Sequence, residues 1–87
     1  MNKIIKDITQ EVIKYNEQYK FLPNEVKITK AQILLNDWNE YYLDLYYVMD
    51  GVEHNITERY LYSLEGVLIT VLEHIKDYYT KLHMLQM

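Results

Sequence analysis

The first pattern along the chain is helical. Apolar residues recur at alternating spacings of three and four, which is the period of an α-helix with one buried face. They are Ile5, Ile8, Val12, Tyr15 and Tyr19. Because Pro23 biases the residue before it away from helical geometry, the helix must end earlier. The pattern predicts an amphipathic helix over about residues 2–20.

The middle of the chain changes to a period of two, which is typical of β-strands. Asp50 and Gly51 form a preferred pair for a two-residue turn in which both residues take positive φ. Strands over residues 41–49 and 52–62 are predicted on either side of this turn. The predicted register runs from Met49 opposite Val52 to Tyr41 opposite Tyr60. It places mainly apolar side chains on one face, and polar and aromatic side chains on the other.

A third strand is predicted just before this hairpin, where apolar residues again alternate. Its range is 31–36, and its alternating residues are Ala31, Ile33 and Leu35. With Leu35 opposite Tyr41, these side chains face the same core as the apolar side of the hairpin. Val26 and Ile28 alternate in the opposite phase, so a bulge is expected near Thr29. The three strands then form an antiparallel meander.

The end of the chain returns to the helical period. Ser63 is a suitable N-cap, and the apolar stripe after it predicts a helix over residues 64–85. The stripe consists of Leu64, Val67 or Leu68, Val71, Ile75, Tyr78, Leu82 and Leu85. The prediction for residues 1–87 is therefore a single α+β domain in the order αβββα. Both helices pack on one face of the sheet, and the other face is left open.

An all-α fold is the alternative, because residues 30–49 also contain apolar residues at helical spacing. These are Ala31, Leu34, Leu35, Trp38, Tyr42, Leu45 and Met49. The tyrosine-rich run over residues 41–48 and the turn at Asp50 and Gly51 favour strands over a helix here.

Charge is distributed unevenly along the chain, whose net charge is -4. Residues 1–30 carry six lysines against four acidic residues, whereas residues 31–65 carry seven acidic residues against Arg59 alone. The acidic residues therefore concentrate on the predicted sheet and its turns. Such a surface repels the phosphates of nucleic acid, so direct nucleic-acid binding is not expected. It attracts a basic protein or ribonucleoprotein.

The sequence lacks the residues that several kinds of functional site require. The chain has no cysteine, and its three histidines are not accompanied by a convergent ligand set, so neither a metal nor another cofactor is expected. No nucleophile stands beside a base, and the glycines form no phosphate-binding loop, so we expect no enzyme activity. The N-terminal residues lack the apolar run of a signal peptide, and no segment is apolar enough to span a bilayer. A cytoplasmic location away from membranes is the expectation.

Tyrosine is the most informative residue type, with ten copies against one phenylalanine. Tyr42 and Tyr46 are predicted to project from the open face, with Asp44 between them. Tyrosine offers a large contact area at low entropic cost and is enriched in recognition surfaces. Trp38 is either an exposed anchor or a lid on the core. The predicted protein-binding residues are Asp37, Trp38, Glu40, Tyr42, Asp44, Tyr46, Asp50 and Glu53.

The predicted element order resembles that of double-stranded RNA-binding domains. Members of that family read RNA with basic residues at the start of the last helix. The matching stretch here, residues 63–67, contains no lysine. The resemblance is therefore one of topology alone.

The small size, the acidic tyrosine-rich sheet and the helix-flanked strands of residues 2–86 resemble the inhibitors that phages and mobile elements encode, especially anti-CRISPR proteins. The resemblance implies an inhibitor that occludes a basic nucleic-acid-binding groove of a host defence or nucleic-acid-processing complex. Its acidic residues would then mimic phosphates, and its aromatic residues would supply desolvated anchors. Immunity proteins and antitoxins act by the same physics, so the target stays open.

The alternative from another class is a structural or assembly protein. It would form a homodimer through the C-terminal helix or through the open sheet face. The end of that helix carries more apolar surface than one stripe requires. The residues concerned are Tyr78, Tyr79, Leu82, Met84, Leu85 and Met87.

Overall fold

The computed structural model describes residues 2–60 and 63–84. Its elements are β1 (Lys3–Asp7), α1 (Thr9–Tyr19), β2 (Lys27–Leu35), β3 (Tyr41–Met49), β4 (Val52–Tyr60) and α2 (Leu64–Met84). The strands form one antiparallel sheet in the order β1-β2-β3-β4. The α+β class is confirmed, and the three predicted strands pair as an antiparallel meander. The predicted order αβββα is wrong, because the observed order is βαβββα. The all-α alternative finds no support, and the sheet has a fourth strand that was not predicted.

The fourth strand, β1, corrects the predicted start of the first helix. Residues 3–7 pair with the free edge of β2, where Ile4 lies opposite Leu34. Two adjacent β-branched residues favour a strand, and β2 supplies hydrogen-bond partners that a helical turn here would lack. The helical stripe holds for Ile8, Val12 and Tyr15, whereas Ile5 is exposed on β1 and Tyr19 is exposed at the end of α1.

Asp7 and Thr9 fix the junction between β1 and α1. The backbone N–H and the side-chain hydroxyl of Thr9 both donate to Asp7 Oδ1, at 2.9 Å and 2.6 Å. These bonds lower the pKa of Asp7, the side-chain bond most. The Thr9 hydroxyl in turn accepts a hydrogen bond from the backbone N–H of Ala31. The helix therefore begins at Thr9 and is tied to β2.

The predicted register of the meander is confirmed. Every predicted pair of β3 and β4 is present, from Met49 opposite Val52 to Tyr41 opposite Tyr60. Ala31 lies opposite Leu45, as predicted, and the register shifts between Ile28 and Lys30, where a bulge was expected. Because residues before the bulge also pair with β3, β2 begins at Lys27 and not at residue 31.

The turn at Asp50 and Gly51 also takes the predicted conformation. Asp50 and Gly51 have φ values of 53° and 77°, as a type I′ turn requires, and Asn39 takes a left-handed φ of 60° in the preceding loop. At the predicted N-cap of the last helix, Ser63 Oγ accepts a hydrogen bond from the backbone N–H of Gly66. The predicted strand residues 61–62 and helix residue 85 lie outside the described residues.

Both helices pack on the same face of the sheet. Helix α1 lies against β2, and α2 lies against β3 and β4. The core between the layers consists of Ile8, Val12, Leu22, Val26, Ala31, Ile33, Leu43, Leu45, Tyr47, Met49, Val67, Leu68, Val71, Leu72 and Ile75. Within residues 2–60 and 63–84, no helix packs on the opposite face.

Candidate functional site

The open face is the surface that the strands present away from the helices. By the observed register it carries Ile4, Asp7, Lys27, Lys30, Gln32, Leu34, Tyr42, Asp44, Tyr46, Val48, Glu53, Asn55, Thr57 and Arg59. Three of these residues are acidic and three are basic. The acidic excess of residues 31–65 therefore does not collect on this face.

Asp44 lies at the centre of the open face and holds three strands together. Its Oδ1 accepts hydrogen bonds from Asn55 Nδ2 at 2.7 Å and from Thr57 Oγ1 at 2.9 Å. Its Oδ2 accepts one from Gln32 Nε2 at 3.0 Å. Asn55 also donates to the backbone carbonyl of Leu45 at 3.1 Å. We call Asp44, Gln32, Asn55 and Thr57 the Asp44 network.

The Asp44 network buries a charged group without a covering element. Asp44 is only 6% exposed, although no helix of the described residues packs above it. Burial alone would raise the pKa of Asp44, but the hydrogen bonds from Asn55, Gln32 and Thr57 outweigh it. With a smaller contribution from the nearby Lys30, the pKa falls below its ordinary value. The carboxylate is therefore kept charged and its hydrogen bonds are satisfied inside the protein.

Two half-buried tyrosines flank the Asp44 network along β3. Tyr42 and Tyr46 lie two residues before and two residues after Asp44, so all three share the open face. Leu34 is the cross-strand neighbour of Tyr42, and Lys30 is that of Tyr46. The centre of the face thus combines a preorganised polar group with aromatic and apolar surface.

An ion pair lies at one end of the open face. Arg59 Nη2 lies 2.6 Å from Glu40 Oε2, and Glu40 Oε1 accepts a hydrogen bond from Asn36 Nδ2 at 2.9 Å. Asn36 Oδ1 also accepts the backbone N–H groups of Trp38 and Glu40. The loop before β3 is therefore built around Asn36, and the carboxylate of Glu40 is already paired.

The structure divides the eight predicted binding residues among three places. Tyr42, Asp44 and Tyr46 lie together at the centre of the open face, and Glu53 lies at its rim. Asp37, Trp38 and Glu40 lie at one end of β3. Trp38 is 79% exposed, so it is no lid on the core.

Asp50 lies at the opposite end of β3 from that loop. It contacts α2, where Asp50 Oδ2 is 3.3 Å from His83 Nε2. The nine residues of β3 separate the two ends, a distance of roughly 30 Å at about 3.4 Å per residue. The carboxylates of the two ends therefore do not form one patch.

The partners of Asp44 are not among the predicted binding residues. The register predicted for β3 and β4 implies that Asn55 and Thr57 lie on the open face, opposite Tyr46 and Asp44, but it assigns them no role. Gln32 lies opposite Asp44 in the continued register, so the same alternation identifies its position. What the alternation could not show is that all three polar side chains converge on one carboxylate.

Other features of the described residues add no reactive set. Within residues 2–60 and 63–84, no three histidine, aspartate or glutamate side chains are grouped closely enough to hold a metal ion. No helix in that part of the chain combines the length and the apolarity needed to cross a membrane. Comparison of the chain with protein-family models, with curated proteins and with solved structures gives no match in any of the three.

Proposed function

We propose that this chain is a small protein-binding inhibitor that acts by seating its open face on the surface of another protein or ribonucleoprotein. The observation that carries the proposal is the Asp44 network. It is a charged group already buried and hydrogen-bonded on a face that no described helix covers. A partner can cover such a centre without stripping water from an unsatisfied carboxylate.

Tyr42 and Tyr46 supply the aromatic contact area that the Asp44 network lacks. Hot spots of protein interfaces are enriched in tyrosine near the centre of the contact, where neighbouring groups exclude water. Tyr42 and Tyr46 occupy such central positions, and their half-buried rings lose little further freedom on binding. Charged residues of both signs surround them, as expected for a polar rim.

The charge of the whole chain favours a basic target. A net charge of -4 attracts a positively charged partner over a longer range than the contacts themselves. At the face itself the charges balance, Asp44 is hydrogen-bonded and Glu40 is paired with Arg59. We therefore propose that the chain occludes its target mainly through shape and aromatic contact, and that its net charge guides the approach. Phosphate mimicry by Asp44 and Glu40 contributes less, because both carboxylates already have partners within the chain.

The most specific form of the proposal is an anti-CRISPR-like inhibitor of a host defence or nucleic-acid-processing complex in the cytoplasm. Its support is the resemblance in size, composition and strand-helix organisation. The target is the part that experiment must supply.

The decisive experiment compares capture by three versions of the chain in lysate of its native host. We expect the unaltered chain to retain a partner saturably, and Tyr42→Ala with Tyr46→Ala to weaken capture roughly thirtyfold, the equivalent of about 2 kcal/mol. Tyr19→Ala is the matched control, because Tyr19 is an exposed tyrosine on α1, away from the open face. Equal loss in the control, or undiminished capture by the double variant, contradicts the proposal.

Asp44 is not a suitable probe of binding. Reversing its charge breaks the network and lowers stability, so a loss of capture would have two explanations. Thermal unfolding of the double tyrosine variant should accompany the capture experiment, and a midpoint close to that of the unaltered chain separates binding from folding.

The second candidate is a structural protein that dimerises through the end of α2. Met84 is 63% exposed and Tyr78 is also exposed, whereas Leu82 packs against the core. Met84→Glu is therefore the clean test, because Leu82→Glu would also unfold the chain. A dimer in sedimentation that Met84→Glu splits would support this candidate, and a dimer that Met84→Glu leaves intact would contradict it.

A further inference from the structure

Strand β4 forms one edge of the sheet, and its outer side is unpaired within the described residues. It is the last of the four strands in the sheet order and is nine residues long. An edge of that length presents a row of backbone donors and acceptors to a further strand. The other edge, β1, has only five residues, a register shift and two exposed lysines, which are features that discourage pairing.

The turn at Asp50 and Gly51 fixes which backbone groups of β4 point outward. In a two-residue hairpin the pair flanking the turn exchanges both hydrogen bonds, and bonded and non-bonded pairs alternate from there. Val52 is the flanking residue, so the even-numbered residues of β4 bond to β3. The outward groups belong to Glu53, Asn55, Thr57 and Arg59.

We propose that a second copy of this chain pairs with the outer edge of β4, antiparallel and with the two-fold axis at Ile56. In this register Glu53 lies opposite Arg59 of the second copy, and His54 lies opposite Glu58 of the second copy. Symmetry repeats both pairs, so four cross-strand contacts join complementary groups. The remaining pairs are Asn55 with Thr57, Val52 with Tyr60, and Ile56 with itself.

The side chains in this register are placed to meet. Neither Glu53 nor Glu58 has a hydrogen bond or ion pair within the described residues, and both are exposed. Arg59 is paired with Glu40, but its five donors can serve a second carboxylate. Opposite charges directly across antiparallel strands stabilise the pair. Ile56 falls at a non-bonded position, where side chains approach most closely.

Other registers of the same parity lose this match. A shift of the axis to Asn55 places Val52 opposite Glu58 and leaves Glu53 opposite Thr57. A shift to Thr57 places Ile56 opposite Glu58. Each brings an apolar side chain against a carboxylate, and neither pairs Glu53 with Arg59. The sequence of β4 is therefore self-complementary about Ile56.

The helices are compatible with this pairing. A two-fold axis perpendicular to the sheet keeps all helices on one side and joins the two open faces into one surface. Helix α2 packs over β3 and β4, and strands are about 4.8 Å apart, so the two α2 helices would lie roughly 10 Å apart. That is a normal distance for packed helices. The proposal does not depend on the proposed function, because the open face stays uncovered.

Two charge-reversed variants test the register. Sedimentation of the full chain at tens of micromolar should show a dimer. Glu53→Arg places arginine opposite arginine twice, and Arg59→Glu places glutamate opposite glutamate twice, so each variant alone should dissociate at least tenfold more readily. An equimolar mixture of the two restores both opposite-charge pairs and should regain the dimer. Damage to the fold cannot produce that recovery.

Hydrogen exchange gives a second readout. The backbone amides of Glu53, Asn55, Thr57 and Arg59 should gain protection as concentration rises through the dimerisation range. The amides of His54, Ile56 and Glu58 already bond to β3 and should change little. A chain that stays monomeric, a mixture no more associated than its components, or protection gained elsewhere would overturn the proposal.

Discussion

Strand β3 contributes neighbouring residues to both faces of the sheet, and the two faces bury them by different means. Leu43 and Leu45 are fully buried because two helices and the other strands exclude water from them. Asp44, between them, is almost as inaccessible, although no described helix lies above it. Its burial comes from the neighbouring side chains of its own sheet.

The two faces therefore respond differently to substitution. The stability of the covered face depends on how completely side chains fill its volume, because a missing methylene group there leaves a cavity that water does not fill. The stability of the open face depends on hydrogen bonds, because its centre is polar and its rim is exposed to solvent. A face of the second kind is stable without an element packed above it.

The largest expected effect is on the covered face. Leu45→Ala should lower the free energy of unfolding by about 2 to 5 kcal/mol, because Leu45 is 0% exposed and its truncation leaves a cavity. Urea unfolding followed by circular dichroism measures this loss.

Leu34→Ala is the matched control on the open face. Leu34 is 9% exposed, but none of the described helices lies above it, so water can occupy the space left by the truncation. We expect only the transfer cost, about 2 kcal/mol for three methylene groups. Equal losses for Leu34→Ala and Leu45→Ala would remove the distinction between the faces.

The next effect concerns the Asp44 network. Asp44→Asn keeps the shape of the side chain but replaces one acceptor oxygen with a donor, which then meets either the donor of Asn55 or the donor of Gln32. We expect the free energy of unfolding to fall by about 1 to 3 kcal/mol. Asn24→Ala, an exposed loop substitution, should change it by less than about 0.5 kcal/mol.

The pH dependence of that effect follows from the lowered pKa of Asp44. A carboxyl group whose pKa is lower in the folded state stabilises the fold above its unfolded value of 3.8. That stabilisation is lost as pH falls through the folded pKa. The difference in unfolding free energy between the unaltered chain and Asp44→Asn should therefore shrink when urea unfolding is repeated near pH 3. A difference that stays constant from pH 7 to pH 3 would contradict a charged Asp44.

The smallest effect is at the rim. Arg59→Ala removes the ion pair with Glu40, whose groups are partly exposed and solvated. The free energy of unfolding should fall by no more than about 1 kcal/mol, and the loss should diminish further in high salt. A loss as large as that of Asp44→Asn would mean that this ion pair stabilises the fold as strongly as the Asp44 network does.

The parts of the fold that depend on local contacts are predictable from the sequence. The β3 and β4 register follows from a two-residue turn and side-chain alternation, both of which operate over a few residues. The bulge after Ile28 follows from the change of phase in the same alternation. The turn conformation at Asp50 and Gly51 follows from residue type.

Two features were not predictable in this way: the strand conformation of residues 3–7 and the spatial distribution of the acidic residues. Residues 3–7 continue a helical stripe, but the edge of β2, more than twenty residues away in the chain, recruits them into the sheet. Similarly, the acidic residues of the middle segment are neighbours in sequence, whereas the fold sends them to opposite ends and faces. Neither outcome is visible in a local window.

The order of residues alone thus determined which segments alternate, where the chain turns and which side of the meander is apolar, because these depend on short-range geometry. Tertiary structure alone decided that the first residues become a strand and that Gln32, Asn55 and Thr57 meet on Asp44. It also decided which carboxylates remain without partners. These outcomes depend on side chains brought together from distant parts of the chain, and only packing of the whole sheet fixes those distances.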